Sequence, residues 1–158
     1  MKKNHHYEVT VIWDGNRGAG TASYRAYDRS HTVSVAGKAD LACSSDPAFL
    51  GDKAKYTPED LLVASLSSCH MLWYLHLCSE AGVVVTGYID NATGTMVETA
   101  EGGGYFTTVT LSPVVTVTEE LMVDKANSLH AKANELCFIA KSVNFPVHHR
   151  PRCMSRKG

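Results

Sequence analysis

A run of nineteen residues, 61–79, contains no Asp, Glu, Lys or Arg, and it constrains the fold of this chain more than any other feature. Thr57, just before it, can cap a helix with its hydroxyl, and Pro58 suits the first helical position, where no amide hydrogen is needed. We therefore predict one long helix that runs from Pro58 to Ala81 and stops at Gly82, the residue type preferred after a helix end.

The length of this apolar helix raises the question of a membrane span. Serines 65, 67 and 68 and two histidines interrupt the run, so we expect no membrane partner. A soluble helix that is apolar nearly all round has to be covered on every side, and a small domain has few elements with which to cover it. Burial of the helix between two subunits is therefore the expected arrangement.

Composition narrows the class of protein further. The chain has 158 residues and 44% hydrophobic residues, which favours a single domain over 1–158 with a core of its own. Fifteen basic residues against sixteen acidic ones give a net charge of -1, so we expect no nucleic acid partner. The N-terminus lacks the apolar segment of a secretory signal, and five cysteines cannot all pair, so we expect a cytoplasmic protein with few structural disulfides.

Alternating apolar and polar residues predict strands on both sides of the long helix. The predicted strands are 7–13, 20–27, 31–36, 83–89, 95–98 and 106–117, with a loop over 43–57. A second helix is predicted from Thr118, with an apolar stripe at Met122, Ala126, Leu129, Ala133 and Leu136. A short helix over 138–143 should follow. The order of elements indicates an α+β fold.

The long helix also carries possible metal ligands, at Cys69, His70, His76 and Cys78. At 100° per residue, His70 lies about 100° and Cys78 about 180° round the helix from Cys69, so one zinc ion cannot be reached by all four. We predict no metal site. The glycines of 15–20 lack the lysine and spacing of a phosphate-binding loop, and we predict no cofactor.

Two separated segments form a combined pattern. The first is 56–62, Tyr-Thr-Pro-Glu-Asp-Leu-Leu, continued by Ser-Cys-His at 68–70, and the second is 134–138, Asn-Glu-Leu-Cys-Phe, with Ser-Val at 142–143. Together they resemble the OsmC/Ohr family of thiol peroxidases. The first cysteine follows the helix-starting glutamate by ten residues, and the second ends the second long helix. This resemblance implies antiparallel sheets packed around two long central helices, in an intertwined homodimer with active sites at the subunit interface.

The resemblance also implies residue roles. Cys69 would be the peroxidatic thiol, Cys137 the resolving thiol, and Glu59 would hold an arginine near Cys69. Residues 27–31, Tyr-Asp-Arg-Ser-His, are similar to a recurring Tyr-x-Arg-x-His feature, which favours Arg29, while Arg17 remains the alternative. The implied substrates are an organic hydroperoxide, or hydrogen peroxide, and a dithiol reductant.

Elementary chemistry is consistent with these roles. A thiol in an apolar pocket is mostly protonated at neutral pH, and a neighbouring guanidinium, itself held by a carboxylate, favours the thiolate. Attack of that thiolate on a peroxide leaves a sulfenic acid, with which a second thiol condenses. The alternative function is a dimeric small-molecule binding protein of the same fold, in which the cysteines only pack.

Overall fold

Nine strands and two α-helices are present in residues 3–156, the part of the chain that this computed structural model describes. The strands are β1 (Thr10–Trp13), β2 (His31–Ser34), β3 (Leu41–Cys43), β4 (Val85–Asp90), β5 (Thr93–Glu98), β6 (Gly104–Leu111), β7 (Pro113–Val117), β8 (Val147–His149) and β9 (Arg152–Ser155). The helices are α1 (Pro58–Glu80) and α2 (Val123–Leu136). Two units meet in sequence between Leu61 and Leu62, inside α1.

The first unit contains one antiparallel sheet in the order β1-β2-β3. Trp13 lies opposite His31, and His31 lies opposite Cys43, so three segments are joined at one end of the sheet. Strand β1 is shorter than the predicted 7–13, and its apolar side chains are exposed in the single chain, with Val11 64% accessible. This sheet therefore presents apolar surface that nothing within its own unit covers.

The predicted strand over 20–27 is wrong, because this segment consists of turns and bends. Carbonyl groups that a strand would offer to a neighbouring strand accept hydrogen bonds from arginine side chains instead. Arg29 donates to the carbonyl oxygens of Tyr24 and Tyr27, and Arg17 donates to that of Arg25. The alternating residue types of this segment therefore occur in a loop, whose carbonyl groups are hydrogen-bonded by arginine side chains.

Helix α1 follows its prediction closely, which confirms that assignment. The Thr57 hydroxyl accepts from the Asp60 amide at 3.1 Å, and the Asp60 carboxylate accepts from the Thr57 amide at 3.0 Å, so the two residues cap the helix reciprocally. After the last turn Gly82 adopts a φ of 71°, a left-handed conformation that favours glycine. By length and composition α1 could span a membrane, a test that the core helix of a soluble protein also passes.

The second unit contains two three-stranded sheets, in the orders β4-β7-β9 and β5-β6-β8. Strands β4 and β5 pair antiparallel with β7 and β6, but β8 and β9 add in parallel to the free sides of β6 and β7. The sheets are therefore mixed, whereas only antiparallel sheets were expected. The predicted strand 106–117 is two strands, because Pro113 starts β7 in the other sheet.

Apolar residues of the second unit form two core clusters. One surrounds Tyr74, Val115 and Ala133, and the other surrounds Leu66 and Val109. Helix α2 begins at Val123 after a 3-10 turn over Glu120–Met122, later than the predicted Thr118. Four of the five predicted stripe residues, all but Leu136, pack in the first cluster. The predicted short helix after it is reduced to a 3-10 turn over Ala140–Ser142.

The contacts of α1 within the second unit follow a spacing of four residues. Its fully buried side chains are Leu66, His70, Tyr74 and Cys78. Ser67 on the same helix donates a 2.5 Å hydrogen bond to Asp90, whose other carboxylate oxygen accepts the Ser112 amide at 2.6 Å. Other positions of α1 remain open in the single chain, Leu72 being 63% exposed.

Candidate active site

The side chains of Cys69 and Cys137 are neighbours in the second unit. Cys69 lies in the middle of α1 and is half-buried, while Cys137 ends α2 and is only 1% exposed. Both are free thiols. The chain therefore brings together two cysteines that are far apart in sequence, one accessible to a small reagent and one enclosed.

The environment of Cys137 favours its protonated form. Burial raises the pKa of the Cys137 thiol to about 11, and the neighbouring Cys69 side chain adds to the rise. The Ala140 amide donates to Cys137 Sγ at 3.4 Å and acts in the opposite direction. At neutral pH Cys137 is thus a thiol, which suits a group that reacts second rather than first.

Arg29, in the first unit, is held by its own loop. Its guanidinium lies 4.2 Å from the ring centres of both Tyr24 and Tyr27, and it donates to the carbonyl oxygen of each at 2.6 Å. Two of its five N–H donors account for these bonds, so three are left for another group. Arg17 is more exposed and lies 3.8 Å from Asp28.

Glu59 is half-buried in the first turn of α1. Within the described part of the single chain, three ion pairs are formed, and they involve neither Glu59 nor Arg29. The predicted ion pair between these two side chains is therefore not formed among the described residues of a single chain. Asp60, rather than Glu59, carries out the capping of the helix.

Aromatic side chains stand beside the two cysteines. Trp73 lies one turn after Cys69 on α1, and Phe138 directly follows Cys137. The two rings meet edge to face with 5.6 Å between their centres, and His76 packs edge to face on Trp73 at 5.8 Å. Phe138 is 66% exposed, so this pair of rings forms an accessible apolar surface built from residues that follow each cysteine in sequence.

A buried histidine cluster lies in the same unit and was not predicted. His70 Nε2 and His130 Nδ1 are 3.0 Å apart, and the His130 ring stacks on Tyr74 with 3.9 Å between centres. His149 completes the cluster, 5.7 Å from His70. Because the three histidines come from α1, α2 and β8, no local pattern in the sequence links them. The sequence offers His70 as a possible metal ligand, whereas in the structure it packs in the core and hydrogen-bonds to His130.

Burial keeps this cluster neutral. It lowers the pKa of His70 to about 4 and that of His130 to about 3, and the neighbouring histidines add to both shifts. No three His, Cys, Asp or Glu side chains between residues 3 and 156 are arranged to hold a metal ion. His70 Nε2 and His130 Nδ1 point at each other, whereas the near-parallel rings of His130 and Tyr74 stack face to face.

Comparisons with known proteins identify the family and the fold to which this chain is similar. The family model of the OsmC-like proteins matches residues 51–151. The solved structure of an OsmC-like protein of unknown function from Vibrio cholerae is 30% identical, covers 94% of this chain and 99% of its own, and has a TM-score of 0.84. No curated protein gives a significant match.

Two organic hydroperoxide resistance proteins share the fold at lower identity. One, from Elizabethkingia anophelis, is 14% identical over 99% of this chain and all of its own, with a TM-score of 0.67. The other, from Legionella pneumophila, is 17% identical over 95% of this chain and 98% of its own, with a TM-score of 0.64. The match over residues 51–151 and the likeness to the Vibrio protein establish the relationship: this chain belongs to the OsmC-like protein family.

Proposed function

We propose that this protein is a thiol peroxidase that reduces organic hydroperoxides at Cys69. The observation that carries the proposal is the proximity of Cys69 and Cys137, two free cysteines that α1 and the end of α2 bring near each other. Membership of the OsmC-like family, some of whose members are organic hydroperoxide resistance proteins, agrees with this chemistry.

The reaction proceeds in three balanced steps. The Cys69 thiolate attacks one peroxide oxygen, the O–O bond breaks, and the alcohol leaves after taking a proton, so that Cys69 becomes a sulfenic acid. The Cys137 thiol then attacks the Cys69 sulfur, which forms a disulfide and releases water. A dithiol reductant of the cytoplasm restores both thiols by exchange and is itself oxidised to a disulfide.

The different exposures of the two cysteines assign their order. A peroxide reaches half-buried Cys69 more readily than Cys137, which is 1% exposed. The raised pKa of Cys137 also keeps it protonated while Cys69 reacts. The apolar rings of Trp73 and Phe138 favour a peroxide with an organic substituent over hydrogen peroxide, because contact with them removes apolar surface from water.

Glu59 and Arg29 are proposed to act as a pair in the dimer. The packing of Arg29 between two tyrosine rings fixes its guanidinium and leaves donors free, which supports Arg29 over the more exposed Arg17. A guanidinium near a thiolate stabilises it, and a carboxylate orients the guanidinium. The absence of this pair from the single chain fits a site that two subunits complete.

Oxidation with one equivalent of cumene hydroperoxide should produce a disulfide between Cys69 and Cys137. We expect this pairing because each thiol is the other's neighbour. Mass spectrometry of the digested, alkylated protein identifies the linked peptides. Cys43 is also fully buried and serves as an internal control. It should stay a free thiol and become alkylated only after the protein is unfolded. Formation of any other pair, or of sulfinic Cys69 alone, would contradict the resolving role of Cys137.

Arg29→Ala should slow the alkylation of Cys69 by iodoacetamide at pH 7 more than Glu59→Gln does. The first change removes the charge that favours the thiolate, while the second removes only its orienting partner. We expect the rate of alkylation at pH 7 to fall roughly tenfold in Arg29→Ala. Arg17→Ala is the matched control. A slower reaction in Arg17→Ala, with Arg29→Ala unchanged, would transfer the role to Arg17.

Analytical ultracentrifugation should find a homodimer at micromolar concentration. The reason is the apolar surface that the single chain leaves exposed on β1 and α1, at Val11, Ile12 and Leu72. Leu72→Glu places a charge on this surface of α1 and should shift the population toward monomer, whereas Lys38→Glu, in a turn, should not. A folded monomer in the parent protein would refute the dimer.

A further inference from the structure

A second concave site lies in the second unit, separate in its residues from the cysteine pair. It is a pocket of about 460 Å³ at the end of β8. Its lining residues are Asn134, Val147, His148, His149 and Arg150. None of these side chains is acidic and four of them carry N–H donors, so the lining is suited to an electron-rich ligand.

Unpaired buried atoms on the lining indicate that the pocket takes a polar ligand. His149 Nδ1 and Asn134 Oδ1 are buried and have no hydrogen-bond partner among the described residues. Behind them, His70 Nδ1 and His130 Nε2 are buried without a partner as well, in side chains that are 0% and 1% exposed. Since buried polar atoms are paired in the great majority of cases, the two unpaired atoms on the lining, His149 Nδ1 and Asn134 Oδ1, point to a ligand or water in the pocket.

The charge at the mouth of the pocket selects the sign of that ligand. Arg150 makes no ion pair within residues 3–156, so its guanidinium has no counter-charge there. Its backbone amide donates to the Leu111 carbonyl at 2.8 Å, which anchors the segment to β6. A guanidinium binds planar or tetrahedral oxyanions through paired N–H donors.

The neighbouring side chains can add donors to the same ligand. Burial lowers the pKa of His149, so at neutral pH its ring is uncharged and carries one N–H. The Asn134 amide offers either its oxygen or its NH₂ group to the pocket by rotation about its last side-chain bond. His148 is exposed beside them.

We propose that this pocket binds a small oxyanion such as sulfate, phosphate or a carboxylate. Arg150 supplies the charge, while His149 and Asn134 supply directional hydrogen bonds. A bound divalent metal ion is disfavoured, because His70 Nε2 and His130 Nδ1 bond to each other and no three ligating side chains of the described region converge. The proposal is independent of the peroxidase function, since neither cysteine lines the pocket.

The test is a titration of the whole protein with sodium sulfate at constant ionic strength, in which ¹H–¹⁵N NMR spectra are recorded at each sulfate concentration. Sulfate keeps its charge from pH 6 to 8, so a titration within this pH range follows a single form of the ligand. We expect saturable shifts at one site per chain that include the amides of 147–150. Arg150→Gln should weaken the binding at least about tenfold, the effect expected on losing charged hydrogen bonds.

Arg152→Gln is the matched control, because it removes the same charge from the same segment at an exposed residue outside the pocket. It should bind sulfate as the parent does. Equal weakening by both variants, or shifts that increase without saturation, would mean an adventitious ion only and would overturn the proposal. Stoichiometric binding of Zn²⁺ at the same amides, reversed by EDTA, would overturn it in favour of a cation site.

Discussion

Cys69→Ser should reduce the rate of cumene hydroperoxide reduction to the uncatalysed background, a loss of roughly a thousandfold or more. Serine has no accessible anion at neutral pH and cannot form a sulfenic acid, so neither the first nor the second step is possible. The measurement is a stopped-flow or coupled assay with an excess of a dithiol. Circular dichroism and sedimentation should show that the variant keeps its fold and oligomeric state.

Cys137→Ser should separate the two chemical steps. The first reaction of Cys69 with peroxide remains possible, so the variant should consume about one equivalent of peroxide and then stall as sulfenic or over-oxidised Cys69. Cys78→Ser is the matched control. Cys78 is buried like Cys137, but it lies on α1, on the stripe that faces the core. It should turn over as the parent does. Parental activity in Cys69→Ser would refute the peroxidase and leave the alternative of a small-molecule binding protein.

Acidification should begin to destabilise the protein at pH values well above those at which carboxylates titrate. His70 and His130 have pKa values of about 4 and 3 in the folded chain, because burial disfavours their charged forms, and about 6.5 when unfolded. Above pH 7 neither state binds these protons. As the pH falls below 6.5 the unfolded chain takes up two protons that the folded chain refuses, so the free energy of unfolding decreases.

The expected decrease in the free energy of unfolding is roughly 2–4 kcal/mol between pH 7 and pH 5. Urea denaturation at one fixed protein concentration measures it. His130→Gln should remove part of this pH dependence, while His76→Gln, at an exposed position of α1, should leave it intact. Equal stability at pH 7 and pH 5 would show that the buried histidines do not remain neutral in the folded protein.

Local signals in the sequence were sufficient for α1 and for the core face of α2. Thr57 and Pro58 define where α1 begins, and Gly82 defines where it ends, because caps depend on residues within one turn. The apolar spacing of α2 identified its buried positions, including Ala126 and Ala133. In both helices the information lies within a few residues of the structure it specifies.

Other features depend on contacts between distant residues and could not be predicted in this way. Strands β8 and β9 are three and four residues long and polar in part, so they lack a clear period, and nothing local indicates parallel pairing. The contact of Cys69 with Cys137 was implied only by the family resemblance. The cluster of His70, His130 and His149 had no signal, since each residue taken alone is an ordinary histidine.

The parallel addition of β8 and β9 has a consequence for how the chain folds. Val109 cannot pair with Val147, nor Val115 with Cys153, until the segment that contains α2 has folded and brought the end of the chain back to β6 and β7. Hairpins such as β5–β6 close over a few residues, whereas these pairings require long loops to close first, which slows folding. During synthesis, β6 and β7 leave the ribosome with unpaired edges, and those edges stay open to other chains until the final strands emerge.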